Sequence, residues 1–178
     1  MKRKHTVRAL ALGLALSTVA VLASAGSDAK AQPKPPSLDL IKKLAGDWVA
    51  LDEHGEPTEE VISTYRVTAG GSAVLEMLFA GTEKEMVTVY HQDGEDLVLT
   101  HYCVMGNQPR MRAQPITEEG TLVFKCTGDG GNMRSEDDAH MHQGTIRMID
   151  EDHIDVAWAN SVKGVSDYTA KFDLVRKK

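Results

Sequence analysis

The chain has 178 residues, carries 20 Lys and Arg against 26 Asp and Glu for a formal net charge of −6, and is 42 % hydrophobic. That length suits one ordinary domain. The apolar fraction excludes a disordered chain, two cysteines exclude a disulfide scaffold, and the acidic balance argues against a phosphate-binding surface, so nucleic acid is not an expected partner.

Lys2, Arg3, Lys4 and Arg8 make a basic start, and Ala9 to Ala23 follow as an apolar run broken only by Gly13, Ser17 and Thr18. This is the pattern of a secretory signal peptide; at about fifteen residues the run is shorter than the roughly twenty that a spanning helix needs. Cleavage is expected after Ala25 or after Ala31, both closing small-x-small triplets. Either cut removes a net four positive charges and leaves −10, which disfavours anionic lipid as a partner. The expected location is periplasmic or extracellular, with no membrane span after cleavage. Residues 1–31 are thus assigned to leader and cleavage region, 32–36 to a Pro-rich extended linker, and 37–178 to the folded domain.

Ser37 can cap a short helix that turns Leu38, Leu40, Ile41 and Leu44 toward a core, with Gly46 as its left-handed stop. Helical periodicity then disappears. Ten segments rich in Val, Ile, Thr, Tyr and Phe follow: 47–52, 61–68, 72–80, 85–92, 96–105, 110–114, 121–127, 141–150, 153–159 and 166–176. Gly70-Gly71, Asp93-Gly94, Glu119-Gly120 and Asp150-Glu151-Asp152 separate neighbours at hairpin spacing, so consecutive strands should pair antiparallel. Only 128–140 is long enough for a parallel crossover, and 128–139 is also the expected mobile lid or insertion. A ten-stranded up-and-down meander closes into a barrel to remove its edges, with a two-sheet sandwich as the alternative. The 97–105 segment is apolar on both parities, so its inward face is open at this point.

The short helix leading into Gly46-Asp47-Trp48, followed by a meander that ends on a basic last strand, resembles the calycin superfamily of lipocalins, fatty-acid-binding proteins and nitrobindin-like barrels. The resemblance implies a basic residue, Arg176 or Lys171, packed over Trp48. Ala50 stands where nitrobindins carry the last glycine of Gly-x-Trp-x-Gly, a departure that weakens the resemblance where haem binding is concerned. The stretches Met86 to His91, Leu99 to Cys103 and Gly106 to Met111 also resemble a group of secreted bacterial barrel proteins, which implies a fold and a compartment and no activity.

Several residues are candidates for chemistry. His101 and Cys103 share a parity with Leu97, Leu99 and Met105, so an inward face there would place a histidine and a thiol in an apolar cavity. As a catalytic pair they lack a legible acid or oxyanion hole, and a satisfied core histidine beside a cysteine acting as a small hydrophobe is the plainer reading. The expected lining of an interior ligand site is Trp48, Tyr65, Tyr90, His101, Cys103, Met105, Asn107, Gln108 and Arg110, the last able to grip a carboxylate. Met77, Met86, Met105, Met111 and Met148 would add soft surface if inward. His140 and His142 form H-x-H, a spacing that puts both rings on one face of a strand, with Asp137 and Asp138 upstream as oxygen ligands or their supports and His91, His101 or His153 as a third ligand. Cys103 and Cys126 fall on the fifth and seventh strands, about 9.6 Å apart if the sixth lies between, too far for a disulfide.

Three functions stay open: an exported non-enzymatic barrel holding a small apolar or amphipathic molecule, a transition-metal protein or metal-dependent enzyme using His140 and His142, and an interaction module without a small ligand. The cofactor expectation is correspondingly open between none and zinc or copper.

Overall fold

The computed structural model describes residues 33–135 and 137–178. The leader, both cleavage positions and the first linker residue lie outside them. Helix α1 (Leu38–Lys42) leads into ten strands: β1 (Gly46–Leu51), β2 (Pro57–Thr68), β3 (Ala73–Leu78), β4 (Met86–Asp93), β5 (Asp96–Tyr102), β6 (Gln108–Ala113), β7 (Thr121–Gly131), β8 (His140–Met148), β9 (His153–Val162) and β10 (Val165–Arg176). Each pairs antiparallel with the next, and β10 returns to β1, closing the barrel. Among the described residues no helix is long and apolar enough to cross a membrane.

Closure follows from local chemistry. Val, Ile and Thr favour the pleated backbone, and tight turns at Gly70, Gly94 and Gly120, each with positive φ, reverse the chain between them. Strand β7 runs on to Gly131, so the segment expected as a long loop from residue 128 contracts to 132–139. Two corrections concern the entry to the barrel. Ser37 makes no side-chain cap, and the helix ends on Lys43 in ordinary right-handed geometry. Gly46 instead opens β1 at φ +128, where a Cβ would lie 3.1 Å from the Arg176 guanidinium. The proline-rich linker is also anchored, because Lys34 exchanges two backbone hydrogen bonds with Ile116.

Cross-strand register assigns the faces. Tyr65 pairs with Glu76, Glu76 with Thr88 and Thr88 with His101, so these four side chains share the lumen. Leu97, Leu99 and His101 are therefore the inward residues of β5, the face its sequence leaves open. The lumen is crossed by aromatic pairs from non-adjacent strands: His101 stacks on Trp158 with ring centres 4.7 Å apart and Tyr90 meets the edge of Phe124 at 5.7 Å, while Phe79, in the turn just after β3, meets Phe172 of β10 at 5.8 Å. Such pairs add about 0.5–1.5 kcal/mol each beyond area burial. Gly144 makes room for one of them, since a Cβ there would sit 3.0 Å from the Trp158 ring.

Helix α1 and the turn after it close one end, packing Leu38, Ile41 and Leu44 into the core. Trp48 donates its indole N–H to the Leu44 carbonyl at 2.8 Å. Arg176 lies over the Trp48 ring, 4.5 Å from its centre, and donates to the carbonyls of Lys43, Ala45 and Glu151 and to the Asp152 carboxylate. Of the two basic residues considered for this place, Arg176 occupies it, whereas Lys171 pairs with Ala157 further back along β10. Replacing Arg176 by Ala removes a cation–π contact and four charge-assisted hydrogen bonds, and is expected to cost about 2–3 kcal/mol in urea denaturation. Arg176→Lys should recover little of this, because an ammonium cannot span the same acceptors.

Candidate functional site

The lumen holds a buried polar row that its sequence does not advertise. Glu76 lies between Leu75 and Met77 on β3 and is fully buried. The Tyr65 hydroxyl donates to one of its oxygens at 2.7 Å and the Tyr90 hydroxyl to the other at 2.6 Å. Burial pushes the Glu76 carboxyl above its ordinary value, and the hydrogen bonds it accepts oppose that shift without cancelling it. Both tyrosines are pushed well up, first by burial and then by the neighbouring carboxyl, so they remain donors. The arrangement satisfies a carboxyl that would otherwise be costly to bury.

His101 stands on the other side of Thr88, whose hydroxyl lies 2.9 Å from its Nδ1. Burial lowers this imidazole to about 4, leaving the ring neutral around pH 7. Its Nε2 makes no hydrogen bond among the described residues. The indole against which it stacks also has an open group, since Trp158 Nε1 is buried without an acceptor. Glu76, Thr88 and Trp158 are absent from the residues singled out by sequence. The available signal was parity, as Trp158 continues the Ile154 and Val156 face, while Glu76 shares its face with Val74 and Leu78.

The remaining candidates are distributed around this centre. Trp48, Tyr65 and Tyr90 are buried in the core, the first beneath Arg176 and the other two on Glu76. Cys103 ends up in the β5–β6 turn, where its N–H donates to the Asn107 carbonyl and its carbonyl accepts from Gly106; burial pushes its thiol up. Met105 is partly exposed on that turn. Asn107 donates its side-chain amide to the Ala139 carbonyl at 2.7 Å, and its own Oδ1 is buried without a donor. Gln108 lies against Gly131. Arg110 and Arg112 alternate with the buried Met111 and face outward, where they meet Asp93 at 2.7 Å and Asp96 at 2.9 Å. Cys103 and Cys126 form no disulfide; Cys126 is on the seventh strand as expected, but β5 ends at Tyr102 and Cys103 falls in the turn after it, not on the fifth strand.

A register shift between Met141 and Gln143 interrupts the two-residue period at His142. The two rings meet nevertheless: His140 Nε2 lies 3.3 Å from His142 Nδ1, while His140 Nδ1 lies 2.7 Å from the Asp138 carbonyl. His153 belongs elsewhere. It groups with Asp155 and Asp173 on the outer wall, where it bonds Asp173 at 2.6 Å and Arg147 holds Asp155. A cleft of about 700 Å³ also lies outside the lumen, along Val49, Pro57, Val175 and Arg176.

No protein-family model matches the chain, and no curated protein matches it.

The two lumenal groups impose opposite pH dependences. For His101 the unfolded ring binds protons more readily than the native one, so its contribution to stability is lost as pH falls from the ordinary 6.5 toward about 4. The expected loss is about 3 kcal/mol, absent from the pH profile of His101→Phe, which keeps a ring over Trp158. For Glu76 the native carboxyl holds its proton more tightly than the unfolded one, so stability falls as pH rises above about 4.5. Glu76→Gln should flatten that limb while leaving the His101 limb intact, both measured by urea denaturation across a pH series.

Proposed function

We propose that the protein is an exported, non-enzymatic barrel of calycin type that holds a small amphipathic molecule in its lumen. The observation that carries the reading is the pairing of open groups at the centre: Trp158 Nε1, a buried donor without an acceptor, belongs to the ring stacked on His101, whose Nε2 is unbonded. An unsatisfied buried donor costs about 1–3 kcal/mol, and a ligand carrying an acceptor on an apolar body would relieve it. The apolar remainder of such a ligand suits walls built from Leu78, Leu99 and Phe124. The calycin reading is supported by the ten-strand meander, the helix at one end and the Arg176 clamp over Trp48. The exported location is supported by the basic and apolar leader pattern.

Binding is favoured over catalysis because the thiol considered as a nucleophile is wrongly tuned. Burial raises the Cys103 thiol, the reverse of what a reactive cysteine needs. His101 spends Nδ1 on Thr88, and no acidic side chain bonds it among the described residues.

Native mass spectrometry of protein purified from its own host tests this reading. An excess mass of several hundred daltons, lost on denaturation, is the expected result. The same ligand should bind at least about tenfold more weakly to Trp158→Phe, which keeps the aromatic wall and removes the donor. A native mass equal to the denatured mass would overturn the proposal.

A further inference from the structure

We propose that His140 and His142 form a binding site for one divalent late transition-metal ion, with zinc as the reference, beside the loop 132–139. The argument is independent of the lumenal ligand. Two nitrogens that bind one ion at about 2.0–2.1 Å with tetrahedral angles stand about 3.3–3.4 Å apart. His140 Nε2 and His142 Nδ1 stand 3.3 Å apart. The rings are inclined by 62° with centres at 5.5 Å, so their nitrogens converge and the rings do not stack.

The support behind the pair is that of a ligand pair. His140 is almost completely buried, and its Nδ1 is 2.7 Å from the Asp138 carbonyl. That bond places the ring proton on Nδ1 and leaves the Nε2 lone pair facing His142, which is the usual way a protein orients a metal-binding histidine. Asp138 is itself held, its carboxylate taking Arg134 and its N–H bonding the Ser135 carbonyl. His142 is exposed, so an ion can reach the site from solvent.

A second observation points the same way. Asn107 fixes its amide nitrogen on the carbonyl of Ala139, the residue before His140, which orients its oxygen as the free end. That oxygen is buried with no donor, in a side chain that is 5 % exposed. The segment leading into His140 thus carries a buried acceptor still open to a donor. Asp137 contributes backbone contacts, its carbonyl accepting from Lys163 and its N–H donating to the Ser135 hydroxyl.

The other histidine cluster, on the outer wall, is already engaged. His153 is hydrogen-bonded to Asp173, and Asp155 is held by Arg147, so an ion there would have to displace both contacts. It therefore serves as the control.

Zinc chloride is titrated into the purified, metal-stripped protein by calorimetry and by competition with a chromophoric chelator. One equivalent should bind with micromolar affinity. His142→Ala, at an exposed position that tolerates truncation, should weaken binding at least about tenfold, and His140→Gln should do the same if folded. His153→Ala should bind as the wild type does. Affinity unchanged in His142→Ala, loss confined to His153→Ala, or no saturable uptake would each overturn the proposal.

Discussion

The barrel depends on one guanidinium. Arg176 sits where β10 meets β1, the seam between strands most distant in sequence, and there it binds three things that have no other reason to stay together: the carbonyls at the end of α1, the Trp48 ring, and the β8–β9 turn at Glu151 and Asp152. Helix α1 is five residues long and could not persist alone. It is held because Trp48 takes the carbonyl of Leu44 while Arg176 takes those of Lys43 and Ala45. Closing the seam and capping the end are thus one event. Gly46 serves it too, since a larger residue would stand against the guanidinium.

Inside, the problem is to bury polar groups without burying charge. Glu76 and His101 are both driven toward their neutral forms, one by a carboxyl that resists ionising and the other by an imidazole that resists protonation. Thr88 separates them in the register, so neither is placed to neutralise the other. The cost of the acid is offset by two tyrosine hydroxyls, and the cost of the base by one threonine and an indole face. The asymmetry explains why open hydrogen-bonding capacity collects on the His101 side: Glu76 has both oxygens engaged, whereas the His101–Trp158 pair retains an unbonded ring nitrogen and a free indole donor.

The strand count and topology were legible because turn chemistry is local: Gly70-Gly71, Asp93-Gly94 and Glu119-Gly120 reverse the chain wherever they occur. Counting those reversals placed Cys126 on the seventh strand, but the fifth ends at Tyr102 and leaves Cys103 in the following turn. Facing was harder to extract. Val98 is as buried as Leu97 and Leu99, so hydrophobicity on β5 does not distinguish wall from lumen. Glu76 looks like a solvent-side acid until Tyr65 and Tyr90, 11 and 14 residues away, are known to converge on it. The H-x-H pair was visible, but for an incomplete reason, since alternation alone does not survive the register shift at His142 and the rings are brought together by the bulged backbone and the Asp138 carbonyl. Arg110 illustrates the reverse case: a side chain expected beside a ligand carboxylate finds Asp93 on the outer wall, because Met111 takes the inward place in β6.

The aromatic pairs that cross the lumen also bear on how the chain folds. Neighbouring hairpins can form early and independently, but Tyr90 and Phe124, His101 and Trp158, and Phe79 and Phe172 are separated by dozens of residues and meet only when the sheet has curled. These contacts are long-range in sequence, and a fold that depends on such contacts is expected to close slowly. Until it closes, β1 and β10 each offer an unpaired edge to any other chain. The concentration at which such ribbons find each other before they find themselves sets the yield of refolding, and mutations that delay curling will reveal themselves as aggregation well before they reveal themselves as lost stability.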